Sequence, residues 1–208
     1  MSREWIRFPL NLMVHPFEGY WDLKYDRNRK FTLIISFCVL FLVAVTNILG
    51  SQYSGFLVHV YNPETMNSFM EIVYVIVPVL FWCVANWSLT TLMDGEGKFV
   101  EIFTSTCFAL LPLVIIQFPW IWLSNLVSLQ ETAFYYFSNS VAVLWFVYLL
   151  FIGNMTVHQF SPSKTIGIMM LTLVAMGFMA FISLLFFSLV QQILAFISVI
   201  YQEFVMRT

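Results

Sequence analysis

Five long apolar runs constrain what this chain can fold into more than any other feature. Phe31 to Gly50, Ile72 to Met93, Ile102 to Leu123, Phe134 to Gly153 and Ile166 to Leu189 each hold 20 residues or more without one Asp, Glu, Lys, Arg or His. A helix of about 20 residues, rising about 1.5 Å per residue, crosses the roughly 30 Å of hydrocarbon in a bilayer. The first run holds thirteen Leu, Ile, Val or Phe residues. At about 0.3 to 0.6 kcal/mol each they favour insertion by roughly 4 to 8 kcal/mol, which one Asn47 does not offset. The run is too long for a secretory leader and no small-residue cleavage site follows it, so the first span is expected to stay in the mature protein. With 61% hydrophobic and 10% charged residues, against about 25% charged in soluble domains, the chain reads as an all-α integral membrane protein with five transmembrane helices.

The nine Lys and Arg residues set an expected orientation. Arg3, Arg7, Lys24, Arg27, Arg29 and Lys30 precede the first span, Lys98 lies between the second and third, and Lys164 between the fourth and fifth. All eight fall on one side of a five-span topology, with Arg207 alone on the other, so the positive-inside rule puts the N-terminus in the cytoplasm and the C-terminus outside.

Three parts flank or join the spans. Residues 1–30 alternate aromatic and charged side chains, and Pro16 after His15 suits the first position of a helix. This segment is expected in the headgroup region, where Trp and Tyr concentrate, with the basic cluster Asp26 to Lys30 beside anionic lipid. The loop Ser51 to Met70 is too short for a domain. Residues 190–208 place Ile193, Leu194, Ile197, Ile200 and Tyr201 at intervals of three and four, an amphipathic helical extension of the membrane domain at 31–189. No Gly or Pro after Gly177 marks a break. That extension therefore either projects outward as a continuation of the fifth span or bends flat onto the outer leaflet.

Catalytic chemistry is sparsely provided. The charge-free runs contain no ionisable residue of the kind that marks proton relays and ion paths. His15, His59 and His158 fall outside them, on alternating sides, so they can neither act as a base at bilayer depth nor converge on one metal; they read as loop or interface residues. Cys38, Cys83 and Cys107 lie in separate spans without a C-x-x-C spacing and read as small apolar core residues. No catalytic, cofactor or metal residue is expected. The remaining polar groups in the spans, notably Asn86, Gln117 and Asn139, commonly hold helices together. With backbone carbonyls freed by Pro78, Pro112 and Pro119 they could instead line a small polar path.

The run "TTLMDGEGKFVEIF" (Thr90 to Phe103) between spans two and three lacks the spacing of a phosphate loop or of a calcium loop. It reads as a tight turn, with Gly95 able to take positive φ past the second span and Glu101 in the first turn of the third.

The stretches "HPFEGYWDLKY" (His15 to Tyr25), "ANWSLTTLMDGEGKFVEIF" (Ala85 to Phe103) running into "ALLP" (Ala109 to Pro112), "VHQFSPSKT" (Val157 to Thr165) and "SLVQQILAFISVIYQEF" (Ser188 to Phe204) resemble the bacterial branch of the Yip family. These are membrane proteins named for interaction with Rab-type GTPases in eukaryotes. The D-L-Y-G-P type motif of eukaryotic relatives is replaced here by Asp22-Leu23-Lys24-Tyr25, so the resemblance does not imply Rab binding. It implies a non-enzymatic, five-span protein of the bacterial cytoplasmic membrane that binds other membrane proteins as a scaffold or accessory subunit. Family context suggests a carbohydrate importer of the ABC class as partner. The expected contact residues are Asp94, Gly95 and Gly97 in the turn, His15 and Pro16 in the first segment, and Ile193, Ile197 and Tyr201 on the last helix. A small-solute channel or carrier using Asn86, Gln117 and Asn139, or a lipid-organising protein, are the other readings left open.

Overall fold

A computed structural model describes residues 2–25, 29–58 and 67–207. Asp26, Arg27 and Asn28 of the basic cluster, with His59 and Pro63, lie outside them. The described residues form eight helices and no strand: α1 (Ser2–Val14), α2 (Pro16–Tyr25), α3 (Arg29–Tyr53), α4 (Ser68–Leu92), α5 (Phe99–Ala109), α6 (Leu111–Leu123), α7 (Thr132–His158) and α8 (Pro162–Arg207). Five segments are long and apolar enough to cross a membrane, namely α3, α4, α5 with α6, α7, and α8. The protein is an all-α membrane protein with five candidate spans, as the apolar runs require.

The third span is the centre of the bundle. It breaks at Leu110, whose N–H bonds the carbonyls of Cys107 and Phe108, because Pro112 has no N–H to continue the α5 ladder and sits instead in the first turn of α6. Every residue from Ile102 to Pro112 is buried. Around this axis α3 packs on α5 and α6, α7 packs on the same two helices, and α4 and α8 pair at the side, with α8 also touching α7. Small residues permit the close approaches. A side chain at Gly153 of α7 would run into Ser105 Oγ and the Tyr20 ring, and Ala109 and Ala142 are fully buried. Most hydroxyls in the spans bond back to their own helix, as Thr90 does to Asn86 O at 2.7 Å and Thr106 to Ile102 O at 2.7 Å. They are thereby satisfied without joining helices.

The described residues 2–25 pack against the bundle. His15 makes the bend between α1 and α2, its N–H bonding Asn11 O at 2.8 Å and its carbonyl accepting from Gly19 N at 2.9 Å, and Pro16 opens α2 as expected. The close crossing needs Gly19, where a Cβ would lie 2.8 Å from Leu12 Cα. Phe8, Leu12, Met13, Tyr20 and Leu23 are all core residues. Lys24 lies at the level of Glu96, Tyr20 reaches the carbonyl of Ser105, and Phe8 meets Phe108 edge to face at 5.5 Å. The hairpin therefore runs down alongside α5. Its apolar face packs on the bundle, while Val14, His15 and Phe17 at the bend stay exposed. Burial pushes the Tyr20 phenol well above its usual range, against the opposing bond to Ser105, so it stays a neutral donor.

The last helix is continuous from Pro162 to Arg207, 46 residues, about 69 Å at about 1.5 Å per residue. No break in the helix separates its packed part from its exposed part. Its buried or half-buried side chains, among them Thr165, Ile168, Thr172, Met176, Met179 and Ser183, follow one stripe, and beyond Ser183 only Val190 is half-buried while the other described side chains are exposed.

Candidate functional site

Two polar places lie at opposite ends of the bundle, and both collect residues from distant parts of the chain. At the end that carries Lys24, Lys98 and Lys164, the turn after α4 is held in a closed knot. The α4 helix ends in a paired cap: Met93 N–H bonds Thr90 O at 3.1 Å and Gly95 N–H bonds the same carbonyl at 2.8 Å. The residue between them, Asp94, takes the left-handed conformation at φ 58°, and no described glycine has positive φ. This corrects the expectation for Gly95. Asp tolerates that conformation, which leaves the glycines for another purpose. A Cβ on Gly97 would lie 2.5 Å from His158 Cε1, and one on Gly95 would lie 2.8 Å from His158 Nδ1 and 2.9 Å from Thr90 O. Both positions are glycine because an imidazole is pressed against the turn.

His158 is the residue that sequence reasoning placed wrongly. The fourth apolar run reads as ending at Gly153, where Asn154 follows, but α7 continues to His158, which is 1% exposed and stacks on Phe160 at 5.3 Å. Gly97 N–H donates to His158 Nδ1 at 3.3 Å, and His158 Nε2 lies 3.1 Å from Asn86 Oδ1. Because Nδ1 accepts, Nε2 carries the proton and donates to Asn86, so the ring is a neutral imidazole with both nitrogens occupied. Asn86 Nδ2 in turn donates to Thr172 Oγ1 of α8 at 3.5 Å. The chain from Gly97 through His158 and Asn86 to Thr172 ties the turn, α7, α4 and α8 together. Two cations complete the surface. Lys24 pairs with Glu96 at 2.9 Å, and Lys164 donates to Met93 O at 2.7 Å over the Phe160 ring. Burial opposes the charge on Lys24, but hydrogen bonds to Glu96 and Tyr25 outweigh it and raise its pKa above the ordinary lysine value. Asp94 and Glu96 remain exposed, whereas Gly95 and Gly97 are half-buried. His15 is exposed and Pro16 is buried.

The other end holds a pocket of about 300 Å³ between α3, α4, α6 and α7, with Asn47, Glu71, Gln117, Trp120, Tyr135 and Asn139 in its wall. Gln117 Nε2 donates to Asn139 Oδ1 at 2.9 Å, and Asn47 Nδ2 donates to a Glu71 carboxylate oxygen at 2.8 Å. Trp120 and Tyr135 meet edge to face at 5.8 Å. Glu71 is 9% exposed in the first turn of α4. The helix of the second span therefore carries a buried ionisable group just outside its charge-free run, which begins at Ile72. Counting runs without charge ends each span at the first acid, so it could not have found this one.

Asn86, Gln117 and Asn139 are expected from the sequence to share a polar path. The structure brings Gln117 and Asn139 together and puts Asn86 in the separate knot. Ile193, Ile197 and Tyr201 lie on the exposed part of α8. Among the described residues no three His, Cys, Asp or Glu side chains gather as metal ligands would.

The sequence profile described as the Yip1 domain matches residues 10–185, most of the 208-residue chain. The chain belongs to the Yip1 family. No curated protein and no solved structure matches it significantly. The match starts in α1 and ends in α8 shortly after Ser183, where the packed stripe of that helix also ends. The Yip1 match thus covers most of the packed bundle, and the exposed remainder of α8 falls outside it.

Proposed function

We propose that this Yip1-family membrane protein is a non-enzymatic scaffold or accessory subunit that binds other integral membrane proteins through the free part of α8. The observation that carries this reading is the exposure of that helix. The charge-free run from Ile166 to Leu189 is by itself long enough to cross the hydrocarbon. From Val190 onward an apolar surface including Ile193, Ile197 and Tyr201, with exposures of 59%, 55% and 71%, continues about 27 Å further to Arg207 with no described side chain fully buried. An apolar stripe of that length outside the hydrocarbon is what helix-in-groove partners cover. With the Lys-bearing end in the cytoplasm, as the positive-inside rule favours, the free helix faces outward. Asp94 and Glu96 offer a second contact surface on the cytoplasmic side. The family context favours the permease subunits of a carbohydrate ABC importer in a bacterial cytoplasmic membrane.

Affinity purification of the full chain in mild detergent tests the proposal. Permease subunits are expected to copurify and to be lost from a variant carrying Ile193→Asp and Ile197→Asp. A lone wild-type monomer, or a complex indifferent to those changes, would overturn it.

A further inference from the structure

We propose that the pocket between α3, α4, α6 and α7 is a binding site for an ammonium group, with Glu71 as its counter-charge and Trp120 and Tyr135 as its aromatic wall. This does not depend on the role of α8. A carboxylate that is 9% exposed has lost most of its hydration, and a buried charge left without an opposite charge is strongly unfavourable. The partner that Glu71 has is neutral, the Asn47 amide at 2.8 Å. Among the described residues no Lys, Arg or His side chain lines the pocket. Lys24 and Lys164 are engaged at the knot, and Lys98 lies near it, at the other end of the bundle. The space beside the carboxylate is also not filled by protein, since about 300 Å³ is open there.

The wall selects among cations. A divalent metal needs about six oxygen ligands or more, with several carboxylates, and among the described residues Glu71 is the single acid lining this pocket. Trp and Tyr rings attract organic cations through their π faces, and both line the same pocket. The amide pair Gln117 and Asn139, bonded to each other at 2.9 Å, leaves a carbonyl and an amide hydrogen to meet polar atoms attached to the ammonium. Depth fits as well. Glu71 and Tyr135 lie in the first turns of α4 and α7, within about 6 Å of the helix starts, which is headgroup level for a span. The ammonium can therefore belong to the headgroup of an aminophospholipid or to a small free amine from the adjoining water.

Two arms distinguish these sources. In the first, full-length protein is stripped of lipid, exposed to equal phosphatidylethanolamine and phosphatidylglycerol, and examined by native mass spectrometry. In the second, thermal unfolding in neutral detergent is followed with added ethanolamine, with sodium chloride and glucose as controls. Preferential retention of phosphatidylethanolamine assigns the site to lipid, and stabilisation by ethanolamine without lipid preference assigns it to a free amine. In whichever arm responds, Glu71→Gln is expected to weaken the effect about tenfold or more. Tyr135→Leu, which keeps the charge and does not depend on Glu71→Gln folding, is expected to weaken it about threefold. The proposal is overturned if neither arm responds, if Glu71→Gln and Tyr135→Leu both behave as wild type, or if glucose acts and ethanolamine does not.

Discussion

The two ends of the bundle use similar polar side chains to opposite effect. At the Lys-bearing end, Asn86 and His158 are buried, but each polar atom named there has a partner: Gly97 N–H, the His158 ring, the Asn86 amide and Thr172 close on one another. That network is spent on joining the turn, α7, α4 and α8. At the opposite end Asn47, Glu71, Gln117 and Asn139 are also hydrogen-bonded, yet they border open volume and their charge is not matched by a facing cation among the described residues. Low dielectric strengthens a satisfied network and penalises an incomplete one. The first end is thus built for holding helices and the second for receiving something. A polar residue within a span is consequently a poor guide to function until its partners are known.

That contrast is open to direct attack. The largest effect is expected at Gly97. Valine there drives its Cβ into the His158 ring and Val157, and Gly97→Val should destabilise the protein by about 3 kcal/mol or more, the upper range of overpacking. Melting in detergent and the yield of monodisperse protein report it. Gly167, where a Cβ would meet nothing within 4 Å, provides the control. Gly167→Ala should be neutral or stabilise by up to about 1 kcal/mol, since alanine is the better helix former. Equal sensitivity at both glycines would show that the turn is not clamped.

His158→Phe comes next. It preserves the stack on Phe160 but leaves Asn86 Oδ1 and the Gly97 N–H without partners. A loss of about 2 to 3 kcal/mol follows from one buried and one half-buried group left unsatisfied, seen as a lowered melting temperature. Glu71→Gln at the other end should leave the protein at least as stable as wild type, because the amide can still accept from Asn47, no cation is orphaned and an unmatched buried charge is removed. If Glu71→Gln proved as damaging as His158→Phe, the two ends would be structural alike.

The sequence made the spans legible and the partners illegible. Length and apolar character alone delimit α3, α4, α7 and the joined α5 and α6, because insertion depends on summed hydrophobicity and not on which helix touches which. Pro112 announces the break near Leu110 for a purely local reason. The knot is different. Asn86 and His158 are 72 residues apart, and nothing in either neighbourhood tells that they meet. Conformational freedom is the natural reading of two glycines in a turn, but their cause is the nearby imidazole, and Asp94 carries the positive φ. Glu71 sits one residue before a charge-free run, so the counting rule itself hid it. The α1–α2 segment shows the same limit. Its aromatic and charged alternation fits an interfacial helix, and only the close crossing at Gly19 and the packing of Leu12 and Tyr20 place it inside.

The smallest effect is expected on the free part of α8, where one helix supplies both halves of the comparison. Ile168 is 3% exposed against the bundle and Ile197 is 55% exposed beyond it. Since lipid tails are as apolar as an isoleucine side chain, truncating a membrane helix residue loses chiefly its packing contacts. Ile168→Ala should therefore destabilise the bundle by roughly 1 to 3 kcal/mol. Ile197→Ala has no packed neighbours to lose and should stay within about 0.5 kcal/mol of wild type. Melting the two variants in the same detergent, without any partner present, makes the comparison. A cost at Ile197 matching that at Ile168 would mean that the exposed stripe already folds against this protein or a second copy of it. A negligible cost leaves its apolar surface free for another membrane protein, so that any effect of Ile197 must then appear in binding and not in stability.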